Sequence, residues 1–263
     1  MQGLGGIKVH RGDILDSTSL PSALEGMAAV VHLVGIISEV GKSNFENIHI
    51  RGTQNIVTAA RRAGIKRFVH MSALGTRPGA VSRYHQSKRA AEQIVRQSGL
   101  DFTIFRPSLI FGPRDTFVNL FANFIALSPV VPLPGNPKAR FQPVPVETVA
   151  QAFVRSLSEP KSIGQTYDLC GPEALTLSDM VDCVQRVLQR RRWKLQVPSW
   201  LTRVQAALLE WIYPHLFRRA PPLNRDQLIM LEEDNLGGPG PANQLLGLSP
   251  PRLEEGIRTY LRR

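Results

Sequence analysis

Short apolar runs alternate with longer amphipathic stretches through the first half of the chain. Residues 7–10, 29–34, 67–71 and 102–106 are apolar and rich in β-branched or aromatic side chains. They lack the in-and-out alternation of half-exposed strands, so they predict strands buried on both faces. Helical patterns lie between them. A short one covers residues 19–25. A longer one covers 45–63, with Ile56, Ala59, Ala60 and Ala63 at helical spacing and Gly64 as its stop. A third covers 82–97 and ends at Ser98-Gly99. This alternation predicts an α/β architecture, a doubly wound parallel sheet with helices on both faces.

The texture changes after Pro107. Prolines crowd residues 129–145, which predicts a long loop region. A helix is expected over 146–157, then a strand at "QTYDLCG", then a helix in "LTLSDMVDCVQRVLQRR" with Ser178 as its N-cap. The remainder mixes amphipathic helices with loops such as "GGPGP". The expected division is a nucleotide-type domain over 1–171 and a smaller, mostly helical region over 172–263. In "WLTRVQAALLEWIY", Leu201, Val204, Leu208, Trp211 and Ile212 share one helical face, with Arg203 and Glu210 opposite. That face packs either on the protein's own core or on a membrane-associated partner.

The 263 residues are 43% hydrophobic and 20% charged, which suits a globular chain. No apolar run approaches the roughly 20 residues of a spanning helix. The N-terminus carries no charged-then-apolar signal pattern, so a cytoplasmic location is expected. Two cysteines, Cys170 and Cys183, predict neither a disulfide framework nor a metal cluster. The net charge is +11, and 25 of the 32 basic residues are arginine. Such a surface attracts anions, including acidic lipids and acidic subunits. The basic residues are not interleaved with aromatics, which argues against nucleic acid as a partner.

The most informative stretch is "MSALGTRPGAVSRYHQSKRAAEQIV". Ser72 sits just past a predicted strand. Tyr84 and Lys88 are four apart, so they share a helical face. At the carboxyl edge of a parallel sheet these three can converge. A lysine cation lowers the pKa of a neighbouring phenol, which ordinarily titrates near ~10. The phenol then exchanges a proton with a carbonyl or alcohol while hydride moves to or from a nicotinamide. Ser72 would hold the substrate oxygen.

"GDILD", "VVHLVG", "GTQNIVTAA", "MSALG", "YHQSK" and "FRPSLIFGPRD", in that order, resemble the extended or atypical short-chain dehydrogenase/reductases. "FQPVPVETVAQAF", "TYDLCGPEALTLSDMV", "VPSWL" and "PPLNRDQLIMLEEDN" resemble the branch related to the nucleotide-binding accessory subunit of respiratory complex I. The resemblance implies an NAD(P)-binding Rossmann fold. It places Asp13 and Ile14 against the adenine, and Leu33, Val34 and Gly35 along the ribose and pyrophosphate. Ser72, Tyr84 and Lys88 form the implied catalytic trio, with Lys88 also on the nicotinamide ribose. Pro107, Ser108 and Leu109 flank the nicotinamide. The resemblance also counts His49, which stands where relatives often have asparagine, among the cofactor-binding residues, while the residue itself reads as a core or capping histidine rather than a catalyst. Arg106 reads as half of a structural ion pair.

Three roles stay open: an accessory or assembly component of a respiratory NADH:quinone oxidoreductase, an active oxidoreductase or epimerase, and a non-catalytic structural subunit. The first implies a place on the inner face of a membrane, or in the mitochondrial matrix of a eukaryote. The family's glycine-rich loop, with its preceding strand and following helix, has no counterpart here. "GLGG" at 3–6 has no strand before it and no helix after it, and so cannot present amides to a pyrophosphate. The expectation is an N-terminally truncated Rossmann unit in which these residues alone bind dinucleotide poorly or not at all. The choice between NAD and NADP is not readable.

Overall fold

The computed structural model describes residues 6–217, 219–221 and 223–261. Residues 3–5 of the glycine-rich start and Arg218 lie outside the described residues.

The first half builds α1 (Pro21–Leu24), β1 (Ala29–His32), α2 (Gly52–Arg62), β2 (Arg67–Met71), α3 (Arg83–Arg96) and β3 (Asp101–Pro107). A π-helical turn, Glu46–Arg51, leads into α2 without a break. Gly64 and Gly99, both at positive φ, stop α2 and α3. Next come β4 (Ile110–Phe111), α4 (Val118–Leu127), β5 (Val130–Leu133), β6 (Arg140–Phe141), β7 (Val144–Pro145), α5 (Val146–Ser156) and β8 (Gln165–Leu169). The rest is β9 (Leu175–Thr176), α6 (Leu177–Leu188), β10 (Trp193–Gln196), α7 (Ser199–Ile212), α8 (Arg225–Glu232), α9 (Gly240–Leu246) and α10 (Leu253–Arg258).

The main sheet is parallel throughout, in the order β1-β2-β3-β8. Side chains alternate across it. Val30, Phe68 and Ile104 meet Leu24, Val57, Ala60 and Val95 from α1, α2 and α3. Val69, Phe105 and Leu169 meet Val149, Ala152, Phe153 and Leu246 from α5 and α9. Both faces are therefore apolar, and the strand sequences read as unbroken hydrophobic runs for that reason. Each of the valine, leucine, isoleucine and phenylalanine side chains contributes roughly 1.5–3 kcal/mol by leaving water. A separate cluster centred on Phe111, Phe121, Ile125, Val181 and Ile257 joins α4, α6 and α10. It draws α4 from before β8 and α6 and α10 from after it.

Three local expectations change. Residues 7–10 form no strand, and Ile7 and Val9 are exposed. A strand exists only through a neighbour's amides and carbonyls, and none of the described residues pairs with this run. The helix α6 is capped by Thr176 rather than Ser178: Thr176 Oγ1 accepts from the Asp179 amide and Asp179 accepts from the Thr176 amide. The Ser178 hydroxyl accepts from Lys194 instead. The proline-rich region is not all loop, because β5 pairs in parallel with β10, strand residue Pro132 opposite Leu195. Proline is tolerated there because the two-stranded ribbon is all edge.

Candidate functional site

The carboxyl ends of β1, β2, β3 and β8 open onto one edge of the sheet. The loop after β1 carries Leu33 and Val34, about half exposed, then Gly35. Its close approach to α3 explains the glycine: a Cβ at position 35 would lie 3.1 Å from Lys88 Nζ and 3.4 Å from His49 Nε2. The Ile36 amide donates to His49 Nε2 at 3.0 Å. That leaves His49 Nδ1 to donate to the Ser87 hydroxyl at 2.8 Å, which in turn donates to the Tyr84 carbonyl. His49 thus fastens the loop after β1 to the helix that carries Tyr84 and Lys88. Burial, reinforced by the Lys88 charge, holds its imidazole down to about 3.

Lys88 is buried, and its ammonium donates to the Met71 carbonyl at 2.9 Å, at the carboxyl end of β2. Burial pulls its pKa down to about 8, with partial compensation from Glu92. Tyr84 is half-buried among the rings of Phe45, His49 and His85. Burial pushes its phenol up to about 12. This departs from the acidified phenol expected of the motif. The Lys88 charge falls instead on three buried imidazoles: His32, held down to about 4 by burial first, His49, and His70. His32 stacks on His70 at 5.2 Å and bonds Thr53. Neither ring nitrogen of His70 finds a partner among the described residues.

Ser72 is buried just past β2, with its hydroxyl 3.4 Å from that of Thr76. Pro107 and Ser108 are buried at the end of β3, and Leu109 is half-buried. Asp13 is exposed and folded into its own turn: its carboxylate accepts from the Leu15 amide and its amide donates to Ser19. Ile14 packs on Gly52, and its carbonyl accepts from Asn55. Arg106 grips Glu92 of α3 through two bonds of 2.7 and 2.6 Å, a fork on a buried carboxylate.

Three polar residues far along the chain organise this edge. Asp226, in the first turn of α8, accepts from the Ser82 hydroxyl and from the Arg83 and Tyr84 amides, and so places a carboxylate at the start of α3. Asn224 donates to the Ile37 carbonyl and the Ser38 hydroxyl in the loop after β1. Asn235 accepts from Ser108 and donates to the Leu74 carbonyl, joining the loops after β2 and β3. Asn224 is marked locally as the N-cap of α8, in a capping box with Gln227, but the bonds that all three make to this edge reach partners more than a hundred positions away.

A doubly wound parallel sheet with a Tyr-x-x-x-Lys helix and its loops gathered at the carboxyl edge defines a Rossmann-type nucleotide-binding fold. Residues 2–160 match the model of a family described as NAD(P)H-binding, and the chain belongs to that family. It is 27% identical over 238 residues to the Arabidopsis thaliana mitochondrial NADH dehydrogenase [ubiquinone] 1 alpha subcomplex subunit 9, covering 89% of this chain and 58% of the relative. The chain spans a little over half the length of that subunit and of its Neurospora and mouse counterparts. It is 28% identical over 272 residues to sterol demethylase protein B of Methylococcus capsulatus, covering 94% and 82% of the two chains. A Staphylococcus aureus nucleoside-diphosphate-sugar epimerase superposes with a TM-score of 0.74 at 16% identity, over 97% of this chain and 84% of that one, a likeness of fold.

Proposed function

We propose that the chain holds the nicotinamide-ribose end of NAD or NADP at Lys88, and serves as an accessory or assembly component of a respiratory NADH:quinone oxidoreductase or a quinone-linked pathway. The observation that carries this reading is the state of the trio. Lys88 is buried and engaged with Met71, and the Tyr84 phenol is raised, not lowered. Such a site is organised for binding more than for proton transfer near neutrality. The donor set suits a ribose: the described bond uses one of the three lysine donors, and Leu33 and Val34 offer an apolar rim. In this reading Ser72, Pro107, Ser108 and Leu109 line the nicotinamide side, and Asp13 and Ile14 the adenine side. Among the described residues none forms a glycine loop opening a helix, so the pyrophosphate end is not part of the proposal. The complex I relatives support a place on the matrix or cytoplasmic face of a membrane.

The second reading is an active oxidoreductase or epimerase using Tyr84 and Lys88, supported by their shared helical face at the sheet edge that also carries Ser72. Steady-state assays with NADH and NADPH against carbonyl, quinone and sugar-nucleotide substrates separate the two. The accessory reading expects binding without turnover. Turnover abolished by Tyr84→Phe would replace it with the second.

A further inference from the structure

The chain contains three tryptophans, Trp193, Trp200 and Trp211, and all three stand out in solvent at 83%, 68% and 67% exposure. They lie on β10 and α7, which Val197 and Pro198 join directly. The inward face of α7 is set by Thr202 and Ala206, both buried. Leu201, Val204, Leu208 and Trp211 fall on the opposite side by helical geometry and are all exposed. The expectation of a common apolar face is met, except that Ile212 is only half-exposed. Arg203 and Glu210 sit on the flank, tied to Glu232 and Arg225 of α8. The outward face itself carries no charge. On β10, Trp193 and Leu195 are exposed, while Lys194 reaches Asp182 and Ser178.

Large exposed apolar side chains are concentrated on these two successive elements, and such concentrations on a protein surface mark interaction sites. The charges around it indicate what covers it. Arg190, Arg191 and Arg192 immediately precede Trp193 and line a cleft of about 700 Å³ beside it, together with Asp182 and with Arg186 and Lys194, which are paired with Glu254 and Asp182. The whole chain carries +11. A second copy pressed onto this face would bring two arginine clusters together. An anionic bilayer instead supplies phosphates to the arginines and an acyl boundary to the leucines, with tryptophan at the headgroup level. No helix among the described residues is long and apolar enough to cross a membrane, so the contact lies on the surface.

We propose that the outward face of α7, with the Trp193–Leu195 edge of β10, docks on an anionic phospholipid bilayer. Arg190, Arg191 and Arg192 hold lipid phosphates, and Leu201, Val204 and Leu208 enter the interface. The inference goes beyond the nucleotide site and does not depend on it.

Because every tryptophan is on this surface, intrinsic emission reports on it alone. The test mixes the full chain with phosphatidylcholine vesicles, with and without a quarter phosphatidylglycerol, and follows emission and flotation. The expected result is a blue shift and co-flotation with the anionic vesicles, at least tenfold weaker partition to neutral ones, and release in molar salt, where screening acts within about 3 Å. Leu208→Glu changes an exposed position, so thermal unfolding should be unaltered while insertion is lost. Arg191→Glu should weaken anionic selectivity without touching the carbonyl bonds that Arg190 and Arg192 make to α4. The proposal is overturned if the chain stays with the buffer at low salt, if neutral vesicles serve equally well, or if Leu208→Glu floats undiminished. A blue shift that grows with protein concentration in the absence of lipid would assign the face to self-association instead.

Discussion

Replacing Lys88 with methionine should stabilise the unliganded protein at neutral pH. The lysine is buried and titrates near 8 instead of 10.5. Holding the amine at about 8 corresponds to about 3 kcal/mol of stability, lost at any pH below the folded value. Methionine is close in length and carries no charge, so that loss disappears. The bond to the Met71 carbonyl disappears too, which offsets about 1 kcal/mol. The net gain at pH 7 is about 2 kcal/mol. The sign of the pH dependence follows from linkage. Between 8 and 10.5 the unfolded chain holds the proton and the folded chain does not, so wild-type stability rises with pH there. By pH 9.5 the wild type recovers about 2 kcal/mol, and the advantage of Lys88→Met closes. Cys170 and Tyr84, both raised to about 12 by burial, work in the opposite direction above their unfolded values. They are common to both proteins and cancel in the difference. Urea denaturation at pH 7, 8, 9 and 9.5 measures it. Parallel stability curves for the two proteins would refute the reasoning, because they would mean that the amine is solvated and charged throughout.

Further outcomes follow from neighbouring contacts. Arg106→Met leaves the Glu92 carboxylate buried without its fork and should cost about 3–5 kcal/mol, read by the same denaturation. His32 and His49 are held near 4 and 3, below their unfolded values, so the protein should lose about 1.5 kcal/mol for each between pH 6.5 and 5. Stability that stays flat across that window would contradict their burial as neutral rings. Gly35→Ala puts a methyl 3.1 Å from Lys88 Nζ and should weaken dinucleotide binding about tenfold in titration, with the global fold unchanged by circular dichroism.

The sheet was legible because strands covered on both faces read as apolar runs and the helices between them as periodic stripes. The run at 7–10 misled for the same reason: apolar texture signals burial only where a neighbouring strand exists to receive it. Ser178 and Thr176 are both short hydroxyl residues at the start of α6, and only the reciprocal bonds with Asp179 single out Thr176 as the cap. Tyr84 and Lys88 were visible from their spacing. Their protonation behaviour was not, since it follows from burial: the phenol lies among the rings of Phe45, His49 and His85, and the amine is buried with only partial compensation from Glu92. Asn224, Asp226 and Asn235 fall in a stretch that carries the family resemblance, but their contacts are not readable from it, because those arise only once α8 and its following loop fold against the sheet edge. For α7 the helical periodicity identified the apolar face, but direction was missing. Thr202 and Ala206 turned inward leave the tryptophans outside.

If Lys88 holds the nicotinamide ribose, saturation-transfer NMR with NADH and NADPH reads it directly, because the method detects weak, rapidly exchanging ligands. Transfer to the nicotinamide-ribose protons is expected in the wild type, retained in Tyr84→Phe and lost in Lys88→Ala. Equal transfer in Lys88→Ala, or none in the wild type at millimolar dinucleotide, would contradict it.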